Sequence, residues 1–137
     1  MHDINKDIDL SKYRYSLAKQ TYSNAKMCFD NGFYRDCITR SYYAVFYAIR
    51  AVLALDSIDF KRHKDVVAYF NKEFVAQGKF PGEMGRRLAR LKMKREESDY
   101  SDFFIASADE AQAQIQSVEY MLPLIEEYLT EHGVKIV

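Results

Sequence analysis

The sequence predicts an all-α protein, an antiparallel up-and-down bundle of four or five helices. Its 137 residues include only five Gly and two Pro, so there are few turns, and apolar residues recur every three or four positions between them. Apolar residues make up 48% of the chain, which is ordinary for a globular domain and sufficient for one core. We therefore expect one helical domain over residues 9–132, between an N-terminal tail of residues 1–8 and a C-terminal tail of residues 133–137.

The first two helices are predicted over about residues 9–30 and 34–55. Asn31-Gly32 should end the first, because both residues tolerate the left-handed conformation that follows a helix. A connection this short makes the two helices antiparallel neighbours. The second helix is apolar on nearly every side, which predicts a central position. Its arginines, Arg40 and Arg50, must therefore reach water, a counter-ion or a cleft.

Three further helices complete the expected bundle. The third is predicted over about residues 63–77, and the fourth over about residues 81–97, with a proline in its first turn. Ser107 and Glu110 have the spacing of a capping box, which begins the last helix. Pro123 lies inside that helix and should kink it, because proline has no N–H to donate to the preceding turn.

The remaining composition indicates a cytoplasmic protein without a cofactor or metal. Cys28 and Cys37 lack metal-ligand spacing and are expected to be free thiols. The polar N-terminus does not resemble a secretory leader, and no apolar run reaches the length needed to span a membrane. Glycine-rich phosphate loops, zinc patterns and acidic clusters for divalent cations are not found in the sequence.

The strongest local signal is a basic segment in the predicted fourth helix. Six of the ten residues 86–95 are Arg or Lys, although the chain has 20 basic and 20 acidic residues in all. Arg86, Arg90 and Lys94 share one helix face, and Arg87 lies on the adjoining face. These cations could bind the phosphates of a nucleic acid. A solvated face that pairs with nearby glutamates is an equally good interpretation.

Arg95 and Tyr100 are five positions apart at the predicted end of this helix. If the helix frays after residue 97, both can face one cleft, with Asp99 as a further hydrogen-bonding group. A guanidinium holds phosphate with two donors, whereas a phenol, with a pKa near 10, is a weak base at neutral pH. The alternative is that Tyr100 packs on the bundle while Arg95 pairs with an acid.

His63 lies between Arg62 and Lys64 at the start of the third helix. These two cations and the helix dipole should lower its pKa and favour the neutral imidazole, a usable base. Alternatively, His63 simply caps the helix. On the second helix, Tyr42, Tyr43 and Tyr47 form a stripe that is typical of a core or subunit interface, and base stacking is the alternative.

Four ordered blocks together resemble the small single-domain HEPN proteins of prokaryotes, over about residues 10–130. The blocks are Arg40-Ser41-Tyr42-Tyr43-Ala44-Val45-Phe46-Tyr47-Ala48, Arg62-His63-Lys64-Asp65-Val66, Pro81-Gly82-Glu83-Met84-Gly85-Arg86-Arg87-Leu88 and Arg95-x-x-Ser98-Asp99-Tyr100-Ser101-Asp102-Phe103.

The resemblance implies a HEPN-like helical bundle that forms a homodimer through its long helices, with a cleft between the protomers. Many members are metal-independent RNases that act as toxins in toxin–antitoxin and defence systems, often beside a minimal nucleotidyltransferase. Their motif is an arginine followed, after four to six residues, by a histidine, and the pair helps the RNA 2′-hydroxyl attack the adjacent phosphate. Arg95 matches the motif arginine, but Tyr100 occupies the histidine position.

The resemblance therefore implies a protein that binds RNA or a nucleotide in an inter-subunit cleft. In it, Arg95 would grip phosphate, Tyr100, Asp99 and His63 would orient or activate the substrate, and Arg40 could reach in from the second helix. Metal-independent endoribonuclease activity is left open, because the motif histidine is replaced. The alternative is a non-catalytic module that binds a nucleotidyltransferase antitoxin, for which Tyr100 is a candidate adenylylation acceptor.

Overall fold

A computed structural model describes residues 3–137 and confirms the all-α class. No strand occurs within these residues. The helices are α1 (Ile4–Asp30), α2 (Tyr34–Ala54), α3 (His63–Phe70), α4 (Gly82–Tyr100) and α5 (Ala108–Glu131). A single π-helical turn, Asn71–Val75, extends α3. The sequence predicted a helix across this region but not its change of winding.

The first two helices form the predicted antiparallel hairpin. Gly32 has a φ of 78°, and Phe33 N donates to Cys28 O at 2.8 Å, which closes the end of α1. The hydroxyl of Ser11, near the start of α1, donates to the carbonyl of Ala51, near the end of α2, at 2.7 Å. The two helices thus contact each other along most of their length.

The second helix is the centre of the fold, as its sequence predicted. It packs against α1, α3, α4 and α5, and thirteen of its residues are buried. The same core contains a cluster of four aromatic rings with centroid distances of 5.2–6.3 Å, formed by Phe70, Phe74, Phe80 and Tyr128. The π-helical turn contains Phe74 and supplies its ring to this cluster, which is buried except for the partly exposed Tyr128. Each fully buried ring of this kind contributes about 2 kcal/mol through removal from water.

Two helix boundaries differ from the predictions. The first helix begins at Ile4 and not near Asp9, because the Asp3 carboxylate accepts the Lys6 N–H at 3.2 Å and caps it. Residues 4–8, predicted as tail, are therefore helical. The fourth helix continues past its predicted end near residue 97 to Tyr100, so it does not fray there.

The last helix begins where its sequence predicted. Ser107 Oγ accepts from Glu110 N at 3.1 Å, and Glu110 Oε1 accepts from Ser107 N at 3.4 Å, which confirms the capping box. Beyond the helix, Gly133 has a φ of 94°, and Val134 returns its N–H to Leu129 O at 3.0 Å. Val134 is buried, so part of the predicted C-terminal tail belongs to the core.

The structure also bears on the two cysteines and on membrane-spanning helices. Cys28 and Cys37 are free thiols, as predicted, and Cys37 is buried. Within residues 3–137, none of the helices combines the length and apolarity needed to cross a membrane.

Candidate functional site

The side chain of Arg95 lies between α4 and α2, against the rings of Tyr42 and Tyr43, which are called the aromatic box below. Its guanidinium carbon is 5.0 Å from the ring centroid of Tyr42 and 5.3 Å from that of Tyr43. Its Nε is 3.1 Å from the Asp99 carboxylate, but the two atoms are not aligned as a hydrogen bond. Only 18% of the Arg95 side chain is exposed. Two aromatic faces and one carboxylate therefore hold the cation in place.

Asp99 is one helical turn beyond Arg95, and this pairing explains why the helix does not fray where expected. The pairing of Arg95 with an acid is what the alternative sequence interpretation expected. Because the carboxylate is about one third exposed, we expect it to orient the guanidinium more than it stabilises the fold.

His63 approaches the same box from the start of α3. Its ring stacks on Phe46 with centroids 4.0 Å apart and an interplanar angle of 28°. Its Nδ1 is 3.3 Å from the Tyr42 hydroxyl, within hydrogen-bond distance. His63 does not cap the helix: the N-cap residue is Arg62, and no side chain there makes a capping hydrogen bond. The structure thus brings His63 onto the aromatic rings that flank Arg95.

The pKa of His63 is lowered, as the sequence predicted, but for a different reason. Burial is the largest cause, followed by the positive charges of Arg95 and Arg50. The sequence neighbours Arg62 and Lys64, to which the prediction attributed the shift, are not among these causes. His63 is therefore a neutral imidazole near pH 7, able to accept a proton.

Tyr42 is fully buried and joins Arg95 to His63. Burial raises the pKa of its phenol to about 12, although the charge of Arg95 opposes the rise. The phenol thus keeps its proton at neutral pH and can either donate to or accept from Nδ1 of His63. If it accepts, the lone pair of His63 is on Nε2.

His63 also lines an open cleft of about 330 Å³. Its lining residues are Phe46, Arg50, Asp59, Phe60, Lys61 and His63. Asp59 is 2.9 Å from Arg50 and 3.1 Å from Arg14. Burial alone would raise the pKa of Asp59, but the hydrogen bond from Arg50 and the charges of both arginines outweigh it and lower that pKa. Asp59 is paired with two arginines and Lys61 lines the same cleft, so positive charge is in excess among these residues and the cleft is suited to an anion.

Most residues of this cleft were not predicted from the sequence. Arg50 was conspicuous as a charge on an apolar helix, but nothing in the sequence pairs it with Asp59 in the loop before α3. Arg14, at 3.1 Å from the same carboxylate, was missed altogether.

The basic segment of α4 is largely paired. Glu83 lies 2.9 Å from Arg86, 3.2 Å from Arg87 and 3.9 Å from Arg90, so three cations share one carboxylate. Lys94 lies near two other glutamates, at 3.1 and 3.3 Å. The interpretation as a solvated, paired face therefore describes much of the segment. An excess of positive charge remains around Glu83, where a phosphate could still bind.

Tyr100 faces away from this box. Residues five apart on a helix project about 140° from each other, and Tyr100 is 81% exposed as the last residue of α4. Arg95 and Tyr100 of the same chain thus do not line a common cleft, and the expected packing of Tyr100 on the bundle is also wrong. Phe103 and Ile105 beyond it are 93% and 88% exposed.

Arg40 lies in a different cavity from His63. This second cavity, also of about 330 Å³, is lined by Thr21, Asp36, Thr39, Arg40, Tyr43 and Tyr47. Tyr42 belongs to the core, whereas Tyr43 and Tyr47 are partly exposed. Tyr43 therefore separates Arg95 on one side from the Arg40 cavity on the other.

No group of three or more metal-ligating side chains suited to an ion was found within residues 3–137. The site consists of a guanidinium held against two tyrosine rings, an imidazole with a lowered pKa and the buried Tyr42, side chains that can bind an anion and accept a proton.

Fold and site together define a small helical-bundle protein in which the partly buried Arg95 and His63 both contact the buried Tyr42. The chain belongs to the HEPN-domain family, whose sequence model matches residues 11–128. It is 28% identical to a UPF0332 protein of Thermotoga maritima, over 93% of this chain and 97% of that one. It is 30% identical to a Methanocaldococcus jannaschii protein named "Putative toxin MJ0605", over 93% of this chain and 96% of that one.

Proposed function

We propose that this chain forms a homodimer that binds RNA or a nucleotide in a cleft between the subunits. In this proposal it is the toxin of a toxin–antitoxin or defence system and cleaves RNA without a metal. The name of the Methanocaldococcus relative supports the toxin role, and membership of the HEPN-domain family supports the cleft.

One observation carries the proposal: a neutral imidazole is built next to the motif arginine. The sequence lacks a histidine at the usual position after Arg95, and Tyr100 stands there instead. His63, on another helix, contacts the same tyrosine as Arg95 and has a lowered pKa. A spatial neighbour can therefore replace the missing sequence neighbour as the general base.

The chemistry would then be a transesterification. Arg95 binds the scissile phosphate through the guanidinium nitrogens that do not face Asp99. Nε2 of His63 takes the proton of the RNA 2′-hydroxyl, whose oxygen forms a new bond to phosphorus. The bond from phosphorus to the 5′-oxygen breaks, and that oxygen takes a proton from water in the open cleft. The products are a 2′,3′-cyclic phosphate and a 5′-hydroxyl. Exposed Tyr100 is available to contact the substrate from the second subunit.

The test is incubation of the purified protein with total RNA in EDTA, followed by analysis of the cleaved ends. We expect 2′,3′-cyclic phosphate ends from the wild type and about a hundredfold slower cleavage by Arg95→Met or His63→Gln. Lys72→Met, which replaces an exposed cation of the π-helical turn, is the matched control and should cleave normally. Cleavage that is absent, or equally fast in the Arg95 and His63 variants, refutes the enzyme.

The second candidate is a non-catalytic module that binds a minimal nucleotidyltransferase. The sharing of Glu83 by Arg86, Arg87 and Arg90 favours it, since positive charge is in excess there and the side chains of Arg86 and Arg90 are 66% and 59% exposed. Tyr100 would then be the adenylylation acceptor, for which its 81% exposure is suitable.

Charge reversal separates the two candidates. Replacing the three arginines with glutamates should abolish co-purification with a neighbouring nucleotidyltransferase, while Arg95→Met leaves it intact. Mass spectrometry after incubation with that enzyme and ATP should find one added AMP, which Tyr100→Phe removes. Retained co-purification after charge reversal contradicts the docking role of the basic segment, and an AMP that persists in Tyr100→Phe rules out this acceptor.

A further inference from the structure

One stripe of α2 interrupts the burial of the central helix. Arg40, Tyr43, Tyr47 and Arg50 are spaced by three, four and three residues, so they lie along a single face. All four retain some exposure, although thirteen other residues of α2 are buried. The stripe is about 15 Å long at the rise of an α-helix. It connects the Arg40 cavity with the cleft that contains Arg50 and His63.

The stripe has cations at its ends and aromatic rings in its middle. Arg40 has no hydrogen bond or ion pair with any residue from 3 to 137, and Lys61 at the opposite cleft is also unpaired within that range. Arg50 forms an ion pair with Asp59. Lys61, which lines the cleft at the Arg50 end of the stripe, is therefore the cation there that can bind a phosphate. Asp36, the one carboxylate among the described residues that line the Arg40 cavity, precedes Arg40 by one turn. A stripe with cations at both ends and aromatic rings between them suits a nucleic acid strand, in which phosphates alternate with flat bases.

We propose that this stripe is a track for single-stranded RNA leading to the site of Arg95 and His63. This proposal rests on the proposed function, and it adds that the RNA bound there is single-stranded. Tyr43 and Tyr47 are one turn apart, about 6 Å along the helix axis, and their rings are tilted by 36°. Stacked bases in a strand lie about 3.4 Å apart. Bases resting on these tilted rings must therefore be splayed from each other, which a loop or single strand permits and a duplex does not.

Tyr43 and Tyr47 have different roles in the proposed track. Tyr43 already contacts the Arg95 guanidinium, so a base beside it would place its phosphate near Arg95. Tyr47 has ring contacts with Tyr43 and Phe46 but none with Arg95 or His63. A substitution at Tyr47 therefore tests RNA binding along the stripe without removing a contact of Arg95 or His63. Arg40 contributes one phosphate contact further along the strand.

The experiment measures binding of a short 2′-O-methyl RNA, which cannot be cleaved, as a single strand and as a duplex of the same sequence. The wild type should bind the single strand more tightly. Tyr47→Leu should weaken single-strand binding about tenfold, within the range for losing one base–aromatic stack, and barely affect the duplex. Arg40→Gln should reduce the dependence of binding on salt by about one phosphate contact. Tyr13→Leu, an exposed tyrosine of α1, and Lys72→Gln are the matched controls.

The outcomes distinguish the track from the function on which it rests. If the wild type cleaves and binds RNA but Tyr47→Leu behaves like Tyr13→Leu, the track is wrong and the proposed function stands. Equal affinity for single strand and duplex also overturns the track. If Tyr47→Leu or Arg40→Gln changes the molar mass measured by light scattering, this face joins copies of the chain and is not an RNA track. If the wild type binds no RNA, both proposals fail.

Discussion

Replacing Arg95 with methionine removes one charge from the aromatic box while keeping an unbranched apolar side chain in its place. Methionine can continue to fill the space above Tyr42 and Tyr43. The variant therefore tests whether the guanidinium itself stabilises the fold and sets the protonation of His63. We expect two effects, a loss of stability and a higher pKa for His63.

The loss of stability can be worked out from the contacts of Arg95. Two cation–π contacts, at 5.0 and 5.3 Å, contribute about 0.5–2 kcal/mol each, depending on how well the cation is desolvated. The partly exposed pair with Asp99 adds at most about 0.5 kcal/mol. Against these, Arg95 Nε is buried without an aligned acceptor, and its removal recovers about 1 kcal/mol. These terms sum to a net loss of about 0–3.5 kcal/mol, with a middle value of about 2 kcal/mol.

The assay combines urea unfolding at fixed protein concentration with an NMR titration of the His63 ring. Removal of the Arg95 charge favours the protonated imidazole, so the pKa of His63 should rise toward its ordinary value. Arg90→Met, which loses only a 3.9 Å contact with Glu83, should change neither measurement appreciably. A pKa of His63 that stays constant or falls in Arg95→Met refutes the coupling between the two groups.

Three further predictions concern pH, capping and thiol reactivity. Because burial, Arg95 and Arg50 lower the pKa of His63 in the folded state, this state binds fewer protons than the unfolded one. The free energy of unfolding should therefore fall as the pH drops below about 6.5, the unfolded value, through the lowered folded pKa, and a profile that His63→Gln does not flatten contradicts this. Ser107→Ala should cost about 1 kcal/mol in urea unfolding by removing the cap of α5, whereas Ser107→Thr should cost less, and equal losses would argue against the cap. Iodoacetamide should label Cys28 before Cys37 in the folded protein, because burial raises the pKa of Cys37 to about 11. Equal labelling rates, measured by mass spectrometry, would show that Cys37 is accessible.

Most of the fold was predictable because its signals are local. The Asn31-Gly32 stop, the Ser107–Glu110 capping box and the apolar surface of α2 each depend on residues close together in the chain. The errors at helix ends also have local causes that periodicity does not contain. Asp3 caps α1 about two turns before Ser11, its first buried residue, and Arg95 pairs with Asp99 one turn further along α4.

The site was predictable only in part, since its contacts join distant positions. The sequence singled out Arg95, His63 and the tyrosines of α2 separately, but no spacing rule brings residues 42, 63 and 95 together. The lowered pKa of His63 was expected from its sequence neighbours, yet its causes are burial and two arginines on other helices. Conversely, proximity in sequence suggested that Arg95 and Tyr100 share a cleft, and the helix turns Tyr100 away.

The central claim is that Arg95 and His63 act together on one RNA phosphate. A titration of isotope-labelled protein with 2′-O-methyl RNA, followed through the NMR signals of the His63 ring, tests it most directly. We predict that the His63 signals shift as RNA binds to the wild type, and that Arg95→Met binds too weakly to move them at the same RNA concentration. RNA binding that leaves the His63 signals unmoved, or that is equally tight in Arg95→Met, would contradict the claim.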